Sequence, residues 1–291
     1  MRFLTNGALN PLSSLHICSN IRRIRLLKFN PVRGNWKVAA IIGRRHYSEN
    51  MALPFPHPSA LLPPGFTMSR CTPEDTPGMT DVYMHAFSAS PQFTYWWSSP
   101  AIMHAWNADR IRARFADPGI QQFKIAETAT GKIVAFAKWD VPASVNGLRD
   151  GLKVYDEEGK EVVGERKEGE VKNHGLSKPE GVDQELFDEL FSGLKKMQEK
   201  WRTSEKLVLG IICTEPSYHG RGIGAALIQS VLAVADAERV PAYLEAMPLA
   251  VPLYQRQGFT QVDTLEFNAS KIEKEGKPTL AIMVREPRST A

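Results

Sequence analysis

Residues 218–224 read Tyr-His-Gly-Arg-Gly-Ile-Gly, a run able to hold an anion. Ahead of it lies the apolar stretch Leu-Val-Leu-Gly-Ile-Ile-Cys at 207–213, and behind it Ile223, Leu227, Val231 and Val234 recur at helical spacing. Gly220, Gly222 and Gly224 remove the Cβ atoms that would hold a ligand away, and the free N–H groups of a helix start face whatever lies in front of them. The run is therefore expected to cradle a pyrophosphate. No Gly-Lys-Ser/Thr follows, which excludes a P-loop. Gly220, Gly222 and Ala225 satisfy G-x-G-x-x-A, and Glu245 stands roughly 20 residues further on, where a dinucleotide fold places its ribose-binding acid. Against that reading, residues 214–219 separate the strand from the first glycine, whereas a dinucleotide motif turns almost directly into its helix. A plain glycine-rich turn is the third possibility.

The downstream pattern weighs among these readings. Residues 242–246, Ala-Tyr-Leu-Glu-Ala, read as a short strand, 250–256 as a short helix, and Gln257-Gly258-Phe259 as a helix stop that leads into a new strand. His219-Gly-Arg-Gly-Ile-Gly224 and Tyr254-Gln-Arg-Gln-Gly-Phe259, taken as a pair, resemble the GNAT superfamily of acyl-CoA-dependent N-acetyltransferases. In that family Gln/Arg-x-x-Gly-x-Gly/Ala opens a helix, a strand follows, and the next helix ends in Tyr-x-x-x-Gly-Phe. The resemblance spans about residues 69–285, is strongest over 207–259, and is similar to fungal-type and puromycin acetyltransferase-like members.

The resemblance implies an α/β fold, a mixed, strongly twisted sheet of about six to seven strands flanked by helices. It implies acetyl-CoA as co-substrate and direct transfer to a primary amine of a small molecule or peptide, with no metal. Main-chain groups of Ile212, Cys213 and Thr214 would pair with the pantetheine arm, and N–H groups of Gly220, Arg221, Gly222, Ile223, Gly224 and Ala225 would hold the pyrophosphate. The Arg221 side chain adds charge there or is solvated. His219 replaces the usual Gln or Arg and can still donate one hydrogen bond. Tyr254 matches the family's general acid. A phenol with pKa near ~10 can protonate a departing thiolate with pKa of ~8.5–9, and a core tyrosine is the alternative. Met247 stands where many relatives carry Asn, so that contact to the CoA arm does not transfer. Glu215 and Glu245, next to the gap where two strands are expected to part, are the candidates for the base that deprotonates the amine; for each, a loop charge or an ion-pair partner is the alternative. Cys213 reads as a small buried residue, and His174 lies in a polar insertion.

The elements around these residues fit one enzyme domain with additions. Three cysteines among 291 residues, at 18, 71 and 213, are too few and scattered for a disulfide framework or zinc site, which points to a reducing compartment. The formal charge of +4 comes largely from the first 48 residues, which contain no Asp or Glu, so no nucleic-acid partner is expected. Residues 1–47 carry Arg22, Arg23, Arg25 and Lys28 among apolar residues and end near Arg45-His-Tyr47, the pattern of a mitochondrial transit peptide; a start at Met51 or Met68 is the alternative. No run approaches the ~20 apolar residues of a membrane span.

Residues 48–68 are proline-rich and read as a linker, and 69–287 as the catalytic domain. Thr72-Pro-Glu-Asp75 is a capping box that leads into a helix to about Phe87, followed by an aromatic loop over 91–106 that either borders the acceptor or packs the core. Residues 123–127 and 132–139 form a hairpin, 279–285 the last strand. Residues 148–184 read as a mobile charged insertion, a surface ornament or else a lid, ahead of an amphipathic helix marked by Leu186, Leu190, Leu194, Met197 and Trp201. Other readings of the chain are a noncatalytic CoA-binding scaffold and an NAD-dependent oxidoreductase. Oligomeric state is not written in the sequence.

Overall fold

The structure is a computed structural model that describes residues 62–88, 90–145, 151–162, 177–267 and 278–289. The expected leader, most of the linker and the centre of the insertion lie outside the described residues. Seven strands form one sheet in the order β1 (Phe66–Arg70), β2 (Ile120–Glu127), β3 (Ile133–Asp140), β6 (Leu207–Thr214), β7 (Ala242–Ala246), β9 (Thr279–Arg285) and β8 (Thr260–Glu266). A two-stranded ladder, β4 (Val154–Tyr155) with β5 (Glu161–Val162), stands apart. Every neighbouring pair of the large sheet runs antiparallel except β6 with β7. That mixed sheet is the fold class expected, and its antiparallel majority is incompatible with the doubly wound parallel sheet of a dinucleotide fold.

The helices are α1 (Thr76–Ser88), α2 (Pro91–Thr94), α3 (Pro100–Ala113), α4 (Gln184–Lys200), α5 (Ile223–Ala237) and α6 (Val251–Arg256). Strand alternation assigns them to faces. Leu207 and Leu209 of β6 pack with Leu227 and Val231 of α5, while Val208 packs with Leu186 and Leu190 of α4. Phe136 of β3 joins Met79 and Val82 of α1 and Ile111 of α3. So α5 covers one face and α1, α3 and α4 the other. Fully buried Trp96, Trp139 and Tyr243 are among the largest core side chains, each worth roughly 1.5–3 kcal/mol of apolar transfer.

Several expectations need correction. Residues 91–106 are not a loop: Ser99 accepts the Ile102 N–H at 3.4 Å and Pro100 takes the first helical position, so α3 starts there. β1 begins at Phe66, three residues ahead of the expected domain start. The insertion is not all excursion. Lys153 exchanges main-chain hydrogen bonds with the Gln121 side chain at 3.1 Å each way, and Tyr155 packs edge-on against Phe115. The capping box holds, with the Asp75 carboxylate accepting the Thr72 N–H at 2.7 Å. Among the described residues no helix is long and apolar enough to cross a membrane.

The far end of α5 is tied to β9. Asp236 accepts two hydrogen bonds of 2.7 Å from the Arg285 guanidinium, which is only 3% exposed, and a third of 2.7 Å from the Arg288 N–H. Burial alone would raise the Asp236 pKa, but these bonds and charges outweigh it and hold the carboxyl below its ordinary value. A carboxyl depressed in the folded state stabilises above its unfolded pKa of ~3.9 and loses that contribution as pH falls through the folded value. Asp236→Ala, which leaves Arg285 buried and unpaired, is expected to cost about 3–5 kcal/mol in urea unfolding at neutral pH. A loss under about 1 kcal/mol would mark the pair as an ordinary surface contact.

Candidate active site

β6 and β7 share only three paired positions, Leu207 with Ala242, Val208 with Tyr243 and Leu209 with Leu244. Beyond them β6 runs on to Thr214 beside β3, while β7 turns away beside β9. The parting starts at Gly210, the extra residue of a bulge, since Lys138 opposes Ile211 and the next residue, Trp139, opposes Leu209. A side chain at 210 would meet Lys138 Nζ at 2.9 Å. The split opens a cleft of about 230 Å³, lined among others by Gly210, Ile212, Glu245, Met247 and Tyr254.

The glycine run lies at the mouth of the split. A 3-10 turn at Pro216–Tyr218 follows β6, and Gly220 and Gly222 take φ of +76° and +80°, left-handed values that favour glycine. Open space faces both: a Cβ at either would find nothing within 4 Å. Ala226 is the first helical N–H of α5 to find a carbonyl, Gly222 O at 3.0 Å, so the N–H groups before it are the orphan donors of a helix start. A Cβ at Gly224 would lie 3.9 Å from the Ile212 side chain on β6 and from Leu253 on α6, so this start packs close to both. The residues present thus fit a diphosphate: a cradle without side chains, at the positive end of a helix.

Three side chains of the run are already engaged. The His219 Nε2–H donates to the Thr214 carbonyl at 2.9 Å, closing the loop onto the strand end and taking up one of the main-chain groups expected for the pantetheine arm. Arg221 lies over the Tyr218 ring at 4.8 Å and donates to Ser217 O at 3.3 Å. Tyr218 in turn donates to Glu127 at 2.7 Å. These contacts shape the loop from outside.

Tyr254 and Glu245 both line the cleft. Burial pushes the Tyr254 phenol up, with the neighbouring Cys213 adding to it, so the hydroxyl keeps its proton at neutral pH. That hydroxyl donates to no acceptor among the described residues. Burial also raises the Glu245 carboxyl above the ordinary range, against the nearby Tyr243 hydroxyl and the Gln198 amide, which pull the other way. The Gln198 contact, 3.3 Å from Nε2 to Glu245 Oε1, comes from α4. Cys213 is buried and its thiol is pushed well up, chiefly by desolvation, so it is no nucleophile.

Glu215 stands elsewhere. Its carboxylate meets His85 Nδ1 of α1 at 3.0 Å in an adjoining groove of about 350 Å³, outside the residues that line the split. Of the two acids singled out in the sequence, only Glu245 is brought together with Tyr254. Sequence reasoning did not reach Gln198, Arg110 of α3, or the wall that Leu190, Phe191 and Leu194 of α4 give the cleft. The amphipathic period of α4 was a signal for burial, and a lone arginine carries none. Among the described residues no group of three or more His, Cys, Asp or Glu side chains could hold a metal ion.

Residues 197–273 match the family model described as acetyltransferase (GNAT) domain. No curated protein matches the chain. Solved structures it is similar to include a histone acetyltransferase HPA2 and related acetyltransferase from Corynebacterium glutamicum, at 22% identity over 78% of this chain and 99% of that one, TM-score 0.48. Another is the ribosomal-protein-S18-alanine N-acetyltransferase of Escherichia coli, at 16% identity over 78% and 96%, TM-score 0.43. A third is the PaiA N-acetyltransferase of Thermoplasma acidophilum in complex with coenzyme A, at 10% identity over 76% and 98%, TM-score 0.42.

An acid whose folded pKa is raised costs nothing at low pH, where both states hold the proton. Its penalty grows as pH rises from the unfolded value of ~4.3 to the folded one and stays above it. Glu245→Gln is therefore expected to melt higher than the native chain at pH 8 and to lose that advantage by pH 4. A melting difference constant across this range would show that the carboxyl is not strained by its burial.

Proposed function

We propose that the protein is an acetyl-CoA-dependent N-acetyltransferase that moves an acetyl group directly to a primary amine of a small molecule or peptide. The observation that carries this reading is the parting of β6 from β7, which puts Tyr254 and Glu245 in one cleft within the segment that matches the acetyltransferase domain. N–H groups from Gly220 to Ala225 would hold the diphosphate, and the β6 edge at Ile212 and Cys213 would pair with the amides of the pantetheine arm. Acetyl-CoA, when bound, supplies the acetyl group activated as a thioester.

The chain's own residues manage the protons. Glu245 accepts one from the amine nitrogen, a task suited to a carboxyl lifted toward neutrality. Tyr254 delivers one to the departing sulfur and recovers it from water. The nitrogen–carbon bond forms and the carbon–sulfur bond breaks, leaving one proton lost by nitrogen and one gained by sulfur. Glu215, held by His85, is the second candidate base and would act through water. The two motifs also favour the fungal-type, puromycin acetyltransferase-like branch. The basic, acid-free residues 1–47 would direct the chain to the mitochondrion, and a reporter fused to them that stays outside that organelle would discard this address.

Calorimetry with coenzyme A and release of free thiol from acetyl-CoA over an amine panel test the reading. Absence of heat with coenzyme A would end it. Tyr254→Phe is expected to lower kcat by about 10²-fold or more with little change in coenzyme A affinity; unchanged turnover would remove Tyr254 from the chemistry. A base works deprotonated, so kcat/KM should rise with pH through a pKa above the ordinary carboxylate range. Glu245→Gln should abolish that limb, and its survival would transfer the role to Glu215.

A further inference from the structure

The acceptor side of the cleft is rich in donors. Arg110 of α3 lines it, with its guanidinium 4.3 Å from the Trp106 ring and 5.8 Å from the Phe191 ring. Among the described residues it forms no hydrogen bond or ion pair. Burial holds its pKa below the usual arginine value, an effect that a carboxylate beside it would relieve. Two further lining residues carry buried polar atoms without a partner among the described residues, the Tyr95 hydroxyl and the Trp96 indole N–H, the latter on a side chain only 1% exposed.

Behind Arg110 lie Arg114, pushed down to about 9 by burial and by the Arg110 charge, and Lys138, lowered by burial. Asp140, at 2.5 Å from Lys138, is the one acid among the described residues that pairs with this cation group. A fork of donors on aromatic faces, in a cleft whose lining also includes an orphan N–H and an orphan O–H, fits a planar anion. It is a poor host for a polyamine, whose second ammonium would face uncompensated positive charge. At about 230 Å³ the cleft falls below the roughly 300–1,000 Å³ of drug-sized sites, which favours a compact molecule.

From this geometry we infer that the acceptor is a small amine that also carries a carboxylate on an aromatic or otherwise apolar body, and that Arg110 reads the carboxylate. The inference rests on the acetyltransferase reading and deepens it. The probes are L-phenylalanine and phenethylamine as acceptors, which differ only in the carboxylate, and their N-acetyl products as ligands in calorimetry.

Thiol release should favour phenylalanine, and N-acetylphenylalanine should bind more tightly than N-acetylphenethylamine, each by about tenfold to a hundredfold, the range of a charge-assisted hydrogen bond. Arg110→Gln should erase both preferences and leave phenethylamine turnover unchanged, while Arg110→Lys, which keeps the charge without the fork, should restore part of them. Turnover of both amines with no carboxylate preference overturns the inference and leaves acetyl transfer standing. Carboxylate-dependent binding with no thiol release from either amine sinks the transferase reading and keeps Arg110 as the anion reader. Equal losses on both substrates in Arg110→Gln would show a structural role and overturn the inference.

Discussion

One constraint organises the molecule: β6 cannot keep a full ladder on both edges. Its pairing with β3 continues to Thr214 opposite Ala135, while its pairing with β7 stops at Leu209. Main-chain groups on the abandoned edge have no strand to meet, and an edge of that kind must find water, another chain or a ligand. The bulge at Gly210 sets where the parting begins, and the Lys138 side chain packs against that glycine. The cleft, the accessibility of Glu245 within it and the position of Tyr254 across it all follow from this local failure of pairing.

The split also divides labour between the two faces of the sheet. On one side α5 begins with orphan N–H donors behind Gly220 and Gly222, and that start packs beside Ile212 and Leu253. On the other side α1, α3 and α4 build a wall of aromatic rings with cations among them. An anionic group is thus met by main-chain dipoles on the first face and by side-chain charge on the second. α4 joins the two roles, because Gln198 holds Glu245 while Phe191 packs over Arg110. α4 thus forms part of the cleft wall.

Where the sequence pattern was local, it was legible. β7 and β9 fall at the strands expected over 242–246 and 279–285, because alternation and the flanking breakers leave little choice. The glycine run, its helix and Tyr254 took their expected places for the same reason. α3 was missed because its apolar residues hardly segregate to one side, so only Ser99-Pro100 announced it. Separating Glu245 from Glu215 needed tertiary facts: one residue lies on a strand that swings into the split, the other faces α1, where His85 waits. Arg110 gave no sign at all, since its meaning comes from Trp106, Phe191 and the absence of an acid among the described residues around it.

The charge arrangement bears on a difficulty that any amine acylation faces. An amine arrives mostly as ammonium, and only its neutral form attacks. In the proposed reaction, the burial that lifts the Glu245 carboxyl raises its affinity for the proton the amine must lose. That shift brings donor and acceptor closer in proton affinity than they would be in water, which is the condition for transfer without a large uphill step. Asp140 pairs with Lys138, which leaves Arg110 as the charge at the surface of the pocket, free to meet the acceptor's carboxylate rather than its amine.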